Sequence, residues 1–311
     1  MIHPIPSGTR DVLPDELREL RAITDGMRAV FDARSYGEVA TPALEYEDVL
    51  TRGDQAAADP AYRLFDEHGN VLVLRSDMTI PIARVVATRY PSAPVPLRFY
   101  YLQHAYRAVH QHRAQPREIL QVGIELVGAP GPEGTAEAVT VLCAALDAAG
   151  LRSYRVGLGD ASLFSRALER AGVEDGARDT ILHELATRDL VGLERELARA
   201  GSPDGLLELA TTRGGIDTLD GVPEAEPLRA LYDGLPEDVR ARVIFDLGLV
   251  RTLGYYTGAV FEVYDAAFGA PIGGGGRYDD LLGRFGRELP ACGWALDVER
   301  VHAARLEEGV V

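Results

Sequence analysis

The 311-residue chain contains no lysine; all 32 of its basic side chains are arginine. A GC-rich genome explains that bias more simply than function does. The absence still excludes a lysine Schiff base, a lysine general base and the lysine of a phosphate-binding P-loop. Cysteine is almost absent too. Cys143 and Cys292 lie in apolar stretches, offer neither a disulfide framework nor metal-ligand spacing, and read as buried free thiols. No run approaches the roughly 18 to 20 apolar residues of a membrane span. The N-terminus, MIHPIPSGTRDVLPDE, has no signal-peptide core. A cytoplasmic protein without membrane contact is therefore expected. The formal net charge of -16 disfavours a long contact with a nucleic-acid backbone. His104, His110 and His112 fall close together, but no set of His, Cys and carboxylates has metal-ligand spacing, so neither a metal nor a cofactor is expected.

What is present is ordinary globular composition, 46% hydrophobic and 26% charged, in a chain long enough for one large domain or two. Residues 14 to 36 read as a helix, with Leu17, Leu20, Ile23, Met27, Val30 and Phe31 at helical spacing. LRFYYLQHAYRAV and REILQVGIELVG read as two long strands joined by the polar loop HQHRAQP. From about 173 to 240 short helix-like pieces between Gly and Pro turns suggest a small helical insertion. Strand character returns at ARVIFDLGLV, AVFEVY and ACGWALDV. The pattern is α+β, with helices covering the apolar face of a sheet and the polar face left as a floor.

Several polar residues would share that floor. Asp77 and Thr79 follow one strand; Gln103 and Arg107 share a face on the next; Gln121 and Glu125 share a face on its hairpin partner. Arg251, Tyr255 and Tyr256 stand at the entry of a later strand that carries Glu262. Carboxylates, amides and guanidinium groups are costly to bury unpaired. A zwitterionic amino acid fits the mixture, because carboxylates hold an ammonium and an Arg fork takes a carboxylate. Taken singly, each of these residues also reads as an ordinary surface or ion-paired group. The glycines 273 to 276 would admit a close backbone approach, although a flexible loop is the commoner meaning of such a run and its spacing matches no phosphate-binding motif.

PSGTRDVLPDE, YGEVATPALEY, LRSDMT, the Arg107 strand, LQVGIELVG, LVRTLGYYTGAVFE, GGGGRYDDLLGRFG and PACGWALDVERV follow one another as in the catalytic domain of the histidyl-tRNA synthetase family, which the sequence resembles over most of its length. The resemblance implies a class II aminoacyl-tRNA synthetase-like core: a six-stranded, mostly antiparallel sheet flanked by helices, made of residues 1–172 and 241–311, with 173–240 as the small helical insertion. Departures point to a branch. Only about ten residues follow WALDVERV, where a synthetase continues into an anticodon-binding domain. Val109 stands where an acidic residue is expected, Gln115 where an ATP-holding arginine is expected, and Gly254 replaces the Asp of the family's RGLDYY signature. Ser76, Asp77 and Met78 replace a Pro-Glu-Gly form.

This pattern resembles the regulatory subunits of the short-form ATP phosphoribosyltransferase. The resemblance implies a non-catalytic subunit, a homodimer within a hetero-oligomer, that assembles with the short catalytic subunit at the first step of histidine biosynthesis and links it to feedback by histidine. By matched position, Asp77, Thr79 and Gln121 would hold the α-ammonium of L-histidine. Glu125 and Tyr256 would meet its imidazole with Tyr255 beside them, and Arg251 would take its carboxylate. Arg107 and Arg300 match nucleotide-contacting arginines and would be vestigial or structural. Two other readings stay open: a truncated synthetase-like enzyme that adenylates histidine, and a nucleic-acid-binding module.

Overall fold

The computed structural model describes residues 5–54, 61–108, 116–201, 205–250, 254–266 and 268–309. Arg251, the loop residues Val109, His110, His112 and Gln115, and the roles expected of them lie outside the described residues. In chain order the strands are β1 (Gly37–Glu38), β2 (Leu44–Tyr46), β3 (Arg63–Phe65), β4 (Val71–Leu74), β5 (Leu97–Tyr106), β6 (Glu118–Val127), β7 (Tyr154–Asp160), β8 (Arg213–Gly214), β9 (Val243–Asp246), β10 (Ala259–Asp265), β11 (Pro271–Arg277) and β12 (Ala291–Asp297). The helices are α1 (Pro14–Ala33), α2 (Glu47–Gly53), α3 (Thr79–Arg89), α4 (Glu133–Ala148), α5 (Leu163–Arg170), α6 (Asp175–Thr187), α7 (Leu190–Arg199), α8 (Leu206–Thr211), α9 (Glu226–Asp233), α10 (Glu237–Arg240) and α11 (Val298–Glu307).

The main sheet is nine-stranded and mixed, in the order β1-β5-β6-β12-β11-β10-β7-β9-β8, which corrects the expectation of a six-stranded sheet. Six neighbouring strands, from β5 to β7 in that order, pair antiparallel. β1 extends one edge in parallel with β5, and β9 extends the other in parallel with β7, with β8 beyond it. β1 and β8 are two residues long, too short to show any alternation of apolar and polar residues. β2, β4 and β3 make a separate three-stranded sheet.

The GGGG run is a strand in the middle of the main sheet, not a loop. Gly273 to Gly276 pair with β10 on one side and β12 on the other. Without side chains the run has no alternation to betray it.

α1, α4 and α11 cover one face of the sheet. Their apolar stripes meet Val122, Ile124, Trp294, Leu296 and Phe261 in the largest core. α1 forms as its composition dictates. Pro14 opens it, Asp15 and Glu16 sit in its first turn, and Leu20, Ile23, Met27 and Phe31 are buried on one side. The opposite face is not simply polar. α3 packs Ile80, Ile82 and Val86 against Phe99 and Tyr101, with Tyr255, Tyr278 and Leu281, in a second core. A third cluster lies away from the sheet. There Phe164 and Leu168 of α5 pack with Ile181 and Leu185 of α6 and with Leu193 and Leu197 of α7.

Candidate functional site

Strand register sets out the second face row by row. Gln103, Gln121 and Asp297 stand opposite one another on β5, β6 and β12. The next row reads Tyr101, Gly123, Ala295, Gly274, Glu262 and Gly157, and the one beyond it Phe99, Glu125, Gly293, Gly276, Val260 and Gly159. The middle of both rows is glycine or alanine, so the sheet is thin where β6, β12 and β11 meet. The freed space is taken by larger polar side chains. A Cβ on Gly293 would collide with Oε2 of Glu125 and the carbonyl of Ile124, and one on Gly123 would collide with the Tyr101 hydroxyl. A Cβ on Gly276 would lie 2.8 Å from the Tyr256 ring. The glycines let Glu125, Tyr101 and Tyr256 lie down on the sheet.

A cavity of about 300 Å³ opens above this floor. Its lining includes Asp77, Thr79, Gln121, Tyr255, Tyr256, Glu262, Arg107 and Arg300, all singled out in the sequence, together with Tyr101, Tyr278 and Asp297. Glu125 lies beneath it and is tied to it by hydrogen bonds. Thr79 Oγ1 donates to Glu125 Oε1 at 2.7 Å, and the Tyr278 hydroxyl donates to Oε2. Glu125 is 1% exposed. Burial pushes its carboxyl up to about 8, against the two hydroxyl bonds, which favour the ionised form.

Asp77 sits at the start of α3, where its Oδ1 accepts from the backbone N–H of Ile80 at 3.0 Å. Its Oδ2 is shielded from solvent and accepts no hydrogen bond among the described residues. Desolvation raises the Asp77 carboxyl above the usual carboxylate range, with Arg107 opposing. Tyr255 is buried, its ring 5.0 Å from that of Tyr256 and 5.8 Å edge-on from that of Tyr278. Burial holds the phenols of Tyr101, Tyr255 and Tyr278 well above their ordinary value, so all three remain hydroxyls at neutral pH.

Arg107 and Arg300 also line the cavity. Arg300 Nη1 donates to the carbonyl of Pro271 at 2.7 Å, and its Nε lies 3.3 Å from Asp297. The same Asp297 caps α11 by accepting from the N–H groups of Glu299 and Arg300. Gln103, which the sequence places on the polar floor, instead pairs with the backbone of Thr41: its Oε1 accepts at 3.0 Å and its Nε2 donates at 3.1 Å. Tyr278 escapes sequence reasoning because it follows the featureless glycine strand. Tyr101 gives a weak signal, its place in the alternation of β5. Among the described residues no group of His, Cys and carboxylates could hold a metal ion, and no helix is long and apolar enough to cross a membrane. Cys143 and Cys292 are both buried and free.

A sheet with an antiparallel six-stranded centre carrying such a cavity, with helices behind it, is the class II synthetase arrangement. Solved structures share it. A Bacillus halodurans protein described as an ATP phosphoribosyltransferase regulatory subunit/histidyl-tRNA synthetase is 31% identical and superposes with a TM-score of 0.90 over 98% of this chain and 83% of its own. A histidine–tRNA ligase subunit from Alicyclobacillus acidocaldarius is 30% identical, with a TM-score of 0.82 over 99% of both chains. The sequence model of histidyl-tRNA synthetase matches residues 8–301. An ATP phosphoribosyltransferase regulatory subunit from Symbiobacterium thermophilum is 40% identical over 99% of this chain and 81% of its own length. The chain belongs to the histidyl-tRNA synthetase family, on the branch of the ATP phosphoribosyltransferase regulatory subunits.

Proposed function

We propose that the chain is a non-catalytic regulatory subunit of a short-form ATP phosphoribosyltransferase, acting in the cytoplasm at the first step of histidine biosynthesis, and that its cavity binds L-histidine. The relatives' shared role supports the first part. The second rests on one observation: Asp77, Thr79, Glu125 and Tyr278 converge on one buried end of a cavity of amino-acid size. Asp77 carries a shielded oxygen without a hydrogen-bond partner among the described residues, and a ligand ammonium would satisfy it. Gln121 lines the same cavity, opposite Asp297 in the strand register. Glu125, Tyr255 and Tyr256 supply a carboxyl and two phenols for an imidazole. Arg251 is assigned the ligand carboxylate by family position alone. Residues 173–240 are read as the insertion, the remainder as the core, and the subunit as a homodimer within the hetero-oligomer.

Mixing with the short catalytic phosphoribosyltransferase tests the assembly. A stable complex whose phosphoribosyl transfer falls on adding L-histidine is expected; absence of association would remove the reading. Histidine at about 100 times its Kd should stabilise the isolated chain by roughly 2.7 kcal/mol, read as a higher Tm.

A second reading, a histidine-adenylating enzyme, draws on Arg107 and Arg300 at the same cavity. Arg300 is already engaged with Asp297 and the carbonyl of Pro271, which gives it a structural role without a nucleotide. Histidine-dependent exchange of pyrophosphate into ATP decides: none is expected.

A further inference from the structure

α6 ends at Arg188, whose backbone is left-handed at φ 59°. Ser35 is the other non-glycine residue with a positive φ among the described residues. Glycine or asparagine fits this helix-ending position without the steric cost that arginine meets. Its side chain shows what the arginine does there. Nη2 donates to Glu262 Oε2 at 3.1 Å and lies 3.4 Å from the Tyr264 hydroxyl oxygen. That hydroxyl donates to the same Glu262 oxygen. Gly157, opposite Glu262 on β7, makes room for the Tyr264 ring, which would lie 3.1 Å from a Cβ at that position.

Glu262 lines the cavity, whereas Arg188 belongs to the α6–α7 hairpin. The hairpin is firmly built. Its helices share a buried cluster with α5, and Asp189 caps α7 by accepting from the Gly192 N–H at 2.9 Å. The placement of the tip therefore fixes the guanidinium, and the guanidinium fixes a carboxylate on the cavity wall. Exposed ion pairs are usually weak. Here Arg188 is half exposed, but the Glu262 side chain is only 16% exposed and a tyrosine shares it, so the contact is sheltered on the Glu262 side.

We propose that Arg188 is a positioning residue: through Glu262 it couples occupancy of the cavity to the placement of the α6–α7 hairpin. This rests on the amino-acid-binding reading above. Linkage makes the coupling reciprocal: if the hairpin contact favours the ligand, the ligand steadies the hairpin by the same factor.

The test uses the full chain and L-histidine, with calorimetry and amide hydrogen exchange over residues 175–200. Arg188→Gly relieves the left-handed backbone but deletes the guanidinium. It should keep or raise the ligand-free Tm while weakening histidine about tenfold, which a purely structural role would not do. Arg188→Lys should recover part of the affinity. Combining Arg188→Gly with Glu262→Gln should weaken binding no further than the weaker single variant. Histidine should slow exchange in the hairpin of the wild type and not in Arg188→Gly. Equal affinity of Arg188→Gly and the wild type, or unchanged hairpin exchange in a wild type that binds histidine, overturns the coupling and leaves the pocket reading intact. A wild type that does not bind millimolar L-histidine overturns the pocket reading and the coupling with it.

Discussion

The two ends of the cavity are built differently. At the deep end Thr79, Glu125 and Tyr278 satisfy one another on a bare strip of sheet, where Glu125 and Tyr278 are buried. At the open end Arg300 is held by a backbone carbonyl and by the aspartate that caps the following helix. The deep end stores polarity in a place where any loss leaves a buried group unsatisfied. The open end uses its charge to finish the secondary structure around it. On the amino-acid-binding reading proposed above, the deep end is the one kept for the ligand, and substitutions at the two ends should differ sharply in effect.

The largest effect belongs to the floor. Gly293→Ala places a methyl group onto the Glu125 carboxylate and the Ile124 carbonyl, and backbone cannot yield as a side chain can. The expected loss is about 3 kcal/mol, the upper end for overpacking a tight site. Urea denaturation would show it as a lower midpoint with an unchanged slope. A variant as stable as wild type would mean that the deep end is loosely packed and the contrast between the ends overdrawn.

How much of this could be read beforehand follows from side-chain pattern. The alternation in LQVGIELVG places Gln121 and Glu125 on one face, and the structure does so. Asp77 and Thr79 were readable as a turn from strand into helix. The glycine strand was not, because residues without side chains carry no period, and Tyr278 was lost with it. β1 and β8 are too short to signal, and β9, readable in ARVIFDLGLV, is the third strand beyond the six that the resemblance implies. Arg188 could not have been found at all, since it meets Glu262 across 74 residues of sequence and no local pattern encodes such a contact.

Glu125→Gln comes next in size and changes the pH dependence. The native state holds the Glu125 proton more tightly than the unfolded chain, with the carboxyl raised from 4.5 to about 8. The stability this supplies is complete below the unfolded value and fades as pH rises through the folded one. Wild-type stability should therefore decline between about pH 4.5 and about 8, and Glu125→Gln should flatten that decline. At the alkaline end the variant should be the more stable protein, yet it should bind L-histidine more weakly by about thirtyfold, near 2 kcal/mol for a bond to a charged group. Tyr278→Phe should act the other way on the pH window. It removes a bond that favours the carboxylate, so the decline should begin at lower stability and extend to higher pH, at a cost of about 1 kcal/mol. Thermal unfolding across a pH series reads all three proteins.

Arg300→Ala should have the smallest effect. The guanidinium is 43% exposed, and such ion pairs contribute about 0.5 kcal/mol or less. The helix cap survives, because Asp297 accepts from backbone N–H groups that the substitution leaves in place. Stability should shift by a few tenths of a kcal/mol, and L-histidine affinity should not change, since Arg300 stands away from Glu125 and Thr79 at the open end. In the complex proposed above, phosphoribosyl transfer measured with the short catalytic subunit should be unchanged as well. A large loss of that activity with histidine binding intact would show that the open end still serves a ligand or a partner, and the difference between the ends would then be one of task rather than of retention.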